Sequence, residues 1–369
     1  MHLTLHLTNQ CNLQCKYCFV KLGSERMTRE VALAAVKLGM EGKRTSGLLF
    51  YGGEPLLERK LIYDVVAHTQ AIKEKTGHIF YYKMTTNGVL LDEDFLKFAQ
   101  GVNLTIGFSH DGPAQDDCRL FHDGKGSYAW LEGKIPLLLK YQPYAIGMSV
   151  LDPATVHKAS SIVEWLFGRG FKYVTVGVNY CTNAGWTKEH LEVLRGEYEK
   201  MAKLYIEKTR NEEKFYLSPF DMKILSHLKG EAYNLDRRRM AQNQLSVAPD
   251  GKLYSSSRFV GDPAMAIGDV FTGIDRAKQA ALYEKGEPPA PCQGCAIRTR
   301  CNYAYDSLSR NGDEIAPDIS PVQCAHEQLI TPIADNVAET LYHEKSALFM
   351  HKHYNDMYPV VSLVEDRSA

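Results

Sequence analysis

Hydrophobic and polar positions follow two periods along this chain, and the two periods take turns. Residues 2–7 alternate over a short run, as a strand does, and residues 47–51 form a short apolar block of the kind buried in a parallel sheet. Between them Thr28 can cap a helix reaching about residue 40, with Val31, Ala34, Ala35 and Leu38 on one face. The alternation continues with a helix at 57–73 ended by Gly77, a strand at 79–84, a helix at 92–100 and a strand at 103–109. A helix at 128–139, a strand at 145–151, a helix at 156–167, a strand at 173–178 and a helix from about 187 to 208 complete the series. Six strand–helix repeats predict a parallel sheet with right-handed crossovers. Eight repeats close a full barrel, so the pattern by itself allows a partial barrel or a doubly wound sheet.

After about residue 210 the pattern changes. Residues 220–231 read as a helix, and 245–254 as a hairpin around Pro249, Asp250 and Gly251. The stretch 286–327 is rich in Pro, Gly and Cys, so its order must come from something other than a large core. The tail from about 332 to 357 reads as helical, with Ile333, Val337, Leu341, Leu348 and Phe349 on apolar faces. The expected divisions are 1–210, a helical connector at 211–244, a cysteine-bearing region at 245–330 and a helical tail at 331–369.

Composition narrows the partners. With 43 Lys plus Arg against 44 Asp plus Glu, the near-neutral charge argues against nucleic acid as a partner, because a phosphate backbone calls for a basic surface, and no nucleic acid is expected. Arg237, Arg238 and Arg239 read as a solvated helix face. No run of about 18 apolar residues is present, so no membrane span is expected. The start of the chain has neither a basic nor an apolar targeting region, and a cytoplasmic location is expected. Nine cysteines, an odd number, make a poor disulfide framework, and seven of them fall into two tight groups. That distribution reads as metal ligation. Cys118 and Cys181 read as inert, and His343, His351 and His353 as surface residues. Asp221 and Asp306 could each supply a base, but no motif supports either.

Cys11, Cys15 and Cys18 are spaced C-x3-C-x2-C directly after the first strand. Three thiolates on one loop can hold three irons of a four-iron, four-sulfur cluster and leave the fourth open; zinc usually wants a fourth protein ligand. With Tyr17 just before the last cysteine, the triplet resembles the signature of radical S-adenosylmethionine (SAM) enzymes. The resemblance implies that the open iron chelates S-adenosyl-L-methionine, and that reductive cleavage gives a 5′-deoxyadenosyl radical that abstracts hydrogen from substrate. Gly52, Gly53, Glu54 and Pro55 follow the second strand and resemble the family's GGEP element, which implies that Glu54 binds the methionine amino group. Thr85, Thr86, Asn87 and Gly88 follow the third strand and resemble another cofactor-side element. Ser109 and Asp111 resemble the ribose-contacting S-x-D-G element, and Arg119 matches an arginine that reaches the cofactor in related enzymes. The family implies a partial (β/α)6 barrel of the TIM type over about residues 1–210, with a small C-terminal auxiliary-cluster domain.

Cys292, Cys295, Cys301 and Cys324 can saturate one site, either a closed cluster or zinc. Beside the first motif the region resembles the SPASM/twitch extension, which carries auxiliary clusters. Two positions where that extension has further cysteines hold Ser256 and Tyr305 here. One auxiliary cluster, and two clusters in all, are therefore expected. The resemblance implies a maturase that acts on a ribosomally made precursor peptide, forming a thioether or carbon–carbon cross-link, with a flavodoxin or ferredoxin as reductant. Any leader peptide is expected to bind the barrel, the extension or a separate protein, because the cysteine motif begins at residue 11. Two enzymatic alternatives stand beside it. One is an anaerobic sulfatase maturase, weakened by Ser256 and Ser257 where those enzymes carry Cys and Asp; the other is a dehydrogenase or epimerase acting on a small molecule. A non-catalytic iron–sulfur or zinc module is the reading from another class.

Overall fold

A computed structural model describes residues 1–42, 44–238, 243–285, 292–301, 308–311 and 314–368. Tyr305, Asp306 and Arg239 lie outside the described residues, as do the side chains of Arg237 and Arg238. The expected strands form as β1 (His2–Thr8), β2 (Thr45–Gly52), β3 (Ile79–Thr86), β4 (Leu104–Ser109), β5 (Ile146–Leu151) and β6 (Tyr173–Val178). Among the described residues no helix is long and apolar enough to cross a membrane.

The chain divides into two compact units. The first comprises Met1–Ser109, Arg119–Tyr141 and Arg239–Glu287; the second comprises His110–Cys118, Gln142–Arg238 and Pro288–Ala369. In the first unit β1, β2, β3 and β4 pair in parallel, in that order. Gln244–Val247 pairs in parallel with the other edge of β1, then turns back through Lys252–Tyr254 as the expected hairpin. One sheet face is apolar: Leu3, Leu5, Leu7, Leu48, Phe50, Met84, Ile106 and Phe108 are all buried. Each such side chain contributes roughly 1.5–3 kcal/mol of transfer free energy. The helices over that face start where the sequence caps them. Thr28 accepts from Val31 N at the head of Arg29–Gly39, and Asp92 from Phe95 N at the head of Glu93–Gly101. The opposite face of β1 carries Thr4, His6 and Thr8, in register with Leu49 and Tyr51 of β2 for the first two.

The helix expected at 128–139 is two pieces, Tyr128–Glu132 and Lys134–Tyr141. Pro136 has no N–H to donate to Glu132, so the helix breaks and restarts with the proline in a first turn, where no donor is missed.

In the second unit β5 and β6 pair in parallel, and Tyr216–Leu217 adds a short parallel edge to β6. Lys188–Arg210 begins at Thr187, whose hydroxyl accepts from His190 N. The tail helix starts earlier than residue 332: it spans Pro321–His343, is capped by Ser320 and contains Pro332. This puts Cys324 in its first turn. His343 and His351 are exposed, as expected, but His353 is buried. Its imidazole lies 3.1 Å from the Tyr205 hydroxyl and 3.5 Å from Asp221, beside the buried Lys352–Asp221 ion pair.

The burial of His353 has a consequence in acid. Desolvation holds the imidazole down at about 4, with Asp221 opposing and Lys352 reinforcing the shift. An unfolded histidine titrates near about 6.5, so below that pH the unfolded chain binds the proton more tightly than the native one. Stability therefore falls as pH drops from 6.5 toward 4. His353→Phe is expected to remove about 3 kcal/mol of that loss across the interval, read from urea midpoints at several pH values. Parallel acid slopes for the two proteins would take His353 out of the account.

Candidate active site

Cys11, Cys15 and Cys18 lie on the loop that leaves the C-terminal end of β1. Glycines at the end of β2 press against the root of this loop. Gly53 N donates to Thr8 O (2.8 Å) and Glu54 N to Gln10 O (2.8 Å). An added Cβ would lie 2.4 Å from Thr8 O at Gly52 and 2.1 Å from Gln10 O at Gly53, and Gly52 has a φ of +127°. Both positions therefore exclude side chains. The close approach they allow is made to the backbone that carries the cysteine loop.

Glu54 is fully buried. Its carboxyl accepts from Leu56 N (3.0 Å), Thr86 Oγ1 (2.7 Å) and Asn87 N (2.9 Å), joining the ends of β2 and β3. Burial lifts the carboxyl to about 7 against the pull of these donors. The Asn87 amide donates to Asn12 Oδ1 (2.7 Å) and reaches Cys11 Sγ at 3.7 Å. The motifs after β1, β2 and β3 thus form one hydrogen-bonded assembly.

A short antiparallel pair, Leu13–Cys15 with Arg119–Phe121, was not foreseen from the sequence. It sets Cys15 opposite Arg119, and the Arg119 guanidinium lies 5.3 Å over the Tyr17 ring. His122 bonds Cys11 O at 2.8 Å, beside a cavity of about 360 Å³ lined by Asn9, Gln10, Cys11, Asn12, Leu57 and His122. Ser109 ends β4, half-buried. Asp111 belongs to the second unit, buried, with Oδ1 accepting from Ser149 Oγ (2.9 Å) and Val150 N (3.1 Å).

The donor set fits an iron–sulfur cluster. Three thiols share one loop, and burial pushes that of Cys11 up to about 12, so its use as a ligand requires a strong local cation. Among the described residues, no three His, Cys, Asp or Glu side chains gather as for a single metal ion. A four-iron core is wider than one ion, and its thiolates do not converge on a point.

In the second unit Cys292, Cys295 and Cys301 lie on a run of tight turns: Cys295 N bonds Cys292 O (3.1 Å) and Cys301 N bonds Ile297 O (2.8 Å). Arg300 fastens this run to the helix Pro321–His343 through a two-pronged pair with Asp335 (2.5 and 2.7 Å). Lys223 and Glu327 form a buried ion pair beside it, and Lys223 also reaches Arg300 O at 3.4 Å. Burial raises the Cys324 thiol, and the neighbouring Cys295 and Glu327 add to the shift. These four thiols could hold a second cluster. Ser256 caps the turn Ser257–Phe259 by accepting from Arg258 N, and Ser257 Oγ bonds Ser246 Oγ at 3.0 Å. All nine cysteines are free thiols.

Two further residues of the first unit, His6 and Tyr51, lie together next to these motifs. His6 is 1% exposed with both ring nitrogens unbonded, and burial lowers its pKa to about 3. Its ring meets Tyr51 edge-on at 5.2 Å. An apolar strand interrupted by a polar inward position was the available signal.

Comparisons with known proteins agree with this geometry. The cysteine-type anaerobic sulfatase-maturating enzyme of Clostridium perfringens (strain 13 / Type A) is 24% identical over 274 residues, covering 68% of this chain and 72% of that protein. Native anSMEcpe with bound AdoMet superposes with a TM-score of 0.77 at 20% identity, over 93% of this chain and 99% of that one. Streptococcus suis SuiB bound to precursor peptide SuiA gives a TM-score of 0.59 at 15% identity, over 88% of this chain and 75% of that one. The expected α/β fold class is borne out by these likenesses. Residues 5–192 match the sequence profile of the Radical SAM superfamily. The chain belongs to the radical SAM superfamily, whose enzymes work with a four-iron, four-sulfur cluster and S-adenosyl-L-methionine.

Proposed function

We propose that this radical SAM enzyme oxidises a residue within a ribosomally made precursor peptide, forming a thioether or carbon–carbon cross-link. The observation that carries the reading is the second set of thiols, Cys292, Cys295, Cys301 and Cys324, anchored by Arg300 and Lys223. Bound together, the front cluster and S-adenosyl-L-methionine supply hydrogen-atom abstraction from a C–H bond. Cys11, Cys15 and Cys18 would hold that cluster. Glu54, Gly52, Gly53 and Asn87 keep the loop in place and, with Tyr17, Ser109, Asp111 and Arg119, are the proposed cofactor contacts. A cross-link is a two-electron oxidation, so a second electron must leave after the hydrogen atom. The four later cysteines would hold an auxiliary cluster whose chemistry there is electron transfer. SuiB, whose structure was solved with its precursor peptide SuiA, supports a peptide as substrate. A flavodoxin or ferredoxin would be the reductant. In this reading residues 1–210 form the catalytic body, 211–244 a connector, 245–330 the auxiliary-cluster region and 331–369 the tail.

Sulfatase maturation is the second reading, favoured by the extent of the likeness to the Clostridium perfringens enzyme. Against it, the Ser256 hydroxyl accepts from Arg258 N, the Ser257 hydroxyl bonds Ser246 on the strand Gln244–Val247, and neither is a carboxylate base. Replacing Cys292, Cys295 and Cys301 with Ala tests the main reading. Iron is expected to fall from roughly eight to roughly four per chain, with S-adenosyl-L-methionine cleavage kept and peptide modification lost. Loss of cleavage as well, in folded protein, would make the later cysteines structural. Conversion of a peptide spanning a sulfatase active-site cysteine to an aldehyde would decide for the second reading.

A further inference from the structure

Immediately after the cysteine triplet, Phe19 stacks on Tyr51 with ring centroids 6.3 Å apart and planes at 15°. The guanidinium of Arg258 lies over Phe19 at 5.5 Å. With His6 against Tyr51, the row His6, Tyr51, Phe19, Arg258 is continuous within the first unit.

Arg258 differs from the two other arginines near the loop. Arg26 is paired with Glu58, and Arg119 is tied to the cysteine loop by its register with Cys15. Among the described residues no carboxylate pairs with Arg258; its guanidinium meets only the face of Phe19. An aromatic face accepts no in-plane hydrogen bond, so the fork of N–H donors remains available while the stacking sets its plane. A planar fork of this kind matches a carboxylate with two parallel hydrogen bonds. At the other end of the row His6 is a buried imidazole with two unmet nitrogens, a hydrogen-bonding group that apolar packing alone would not call for.

We propose that Arg258 receives a carboxylate of the substrate and thereby selects peptides with an acidic residue beside the position that is oxidised. This rests on the peptide reading above. A substrate side chain and the carboxylate of S-adenosyl-L-methionine share this chemistry. Arg258 stacks beside the cysteine loop but is carried by a different segment, the turn after the hairpin, and the cofactor-affinity arm below separates the two carboxylates.

The test presents immobilised reconstituted holoenzyme, with S-adenosyl-L-methionine, to an mRNA-displayed library of random decapeptides. Wild type is expected to enrich Asp and Glu over Asn and Gln by about tenfold, Arg258→Gln to lose the preference and Arg258→Lys to keep part of it. Equilibrium dialysis is expected to show S-adenosyl-L-methionine affinity within about twofold of wild type in Arg258→Gln, since a lost charged contact would shift it by about tenfold. Peptides recovered without acidic preference overturn the assignment and leave the peptide reading standing. Recovery of no peptide at all removes both. A large drop in cofactor affinity with acidic preference intact assigns Arg258 to the cofactor and also overturns the proposal. Should Arg258→Gln not fold, the wild-type preference and Arg258→Lys carry the test.

Discussion

Cys15→Ala is expected to bring 5′-deoxyadenosine release down by at least about a thousandfold, equivalent to roughly 4 kcal/mol of barrier. Iron should fall from roughly eight to roughly four per chain in the same protein. The size of the effect follows from position. Cys15 is the middle thiol of the loop and sits opposite Arg119 in the short strand pair, so no other cysteine of the first unit can take its place. Cys118, the next along the chain, is buried in the second unit. Chromatography of the nucleoside and a colorimetric iron count read the two outcomes separately. Full iron with wild-type release would show that Cys15 is not a ligand.

Asp221→Ala is expected to destabilise the second unit by about 3–5 kcal/mol, because removing one member of a buried ion pair leaves the other charge uncompensated. Asp221 is 1% exposed and takes Lys352 Nζ at 2.7 Å; Lys352 is 7% exposed. The same carboxylate accepts from Tyr205 OH and Leu217 N, each at 2.7 Å, so two further donors lose their partner. A fall of about 10 °C in Tm, followed by circular dichroism, corresponds to that loss. The double replacement Asp221→Leu with Lys352→Met should recover most of it, since well-packed apolar residues often substitute for a buried pair without penalty. A single variant as stable as wild type would show that the pair contributes little. Asp221 is thus a structural group, with its carboxylate already taken, and not a free base.

Much of the architecture could be read along the chain because its signals are local. Periods of two and of three to four residues marked the six main strands and the helices between them. Thr28, Asp92 and Thr187 marked helix starts through side chains that bond within their own first turn. The front triplet and the GGEP run stood out because strand ends collect chemistry in parallel sheets. Where local signals conflicted, the reading slipped. Pro332 looked like a helix start, yet the helix already runs from Pro321 and carries Cys324 in its first turn. His353 looked like a surface residue, yet its neighbours Tyr205 and Asp221 lie well over 100 residues away in sequence.

Spacing in the sequence by itself marked Cys11, Cys15 and Cys18, and Cys292, Cys295 and Cys301, as candidate ligand groups and showed which turns follow which strands, because those relations span only a few residues. Tertiary structure alone decided why Gly52 and Gly53 must be glycines, that Glu54 is the shared acceptor of Thr86 and Asn87, that Arg119 faces Cys15, and that Arg258 stacks beside the triplet on Phe19. Each of these depends on strand register and on chain segments brought together from far apart. Register is set by how a whole apolar face packs, and that is a property of the folded sheet that no short stretch of residues contains.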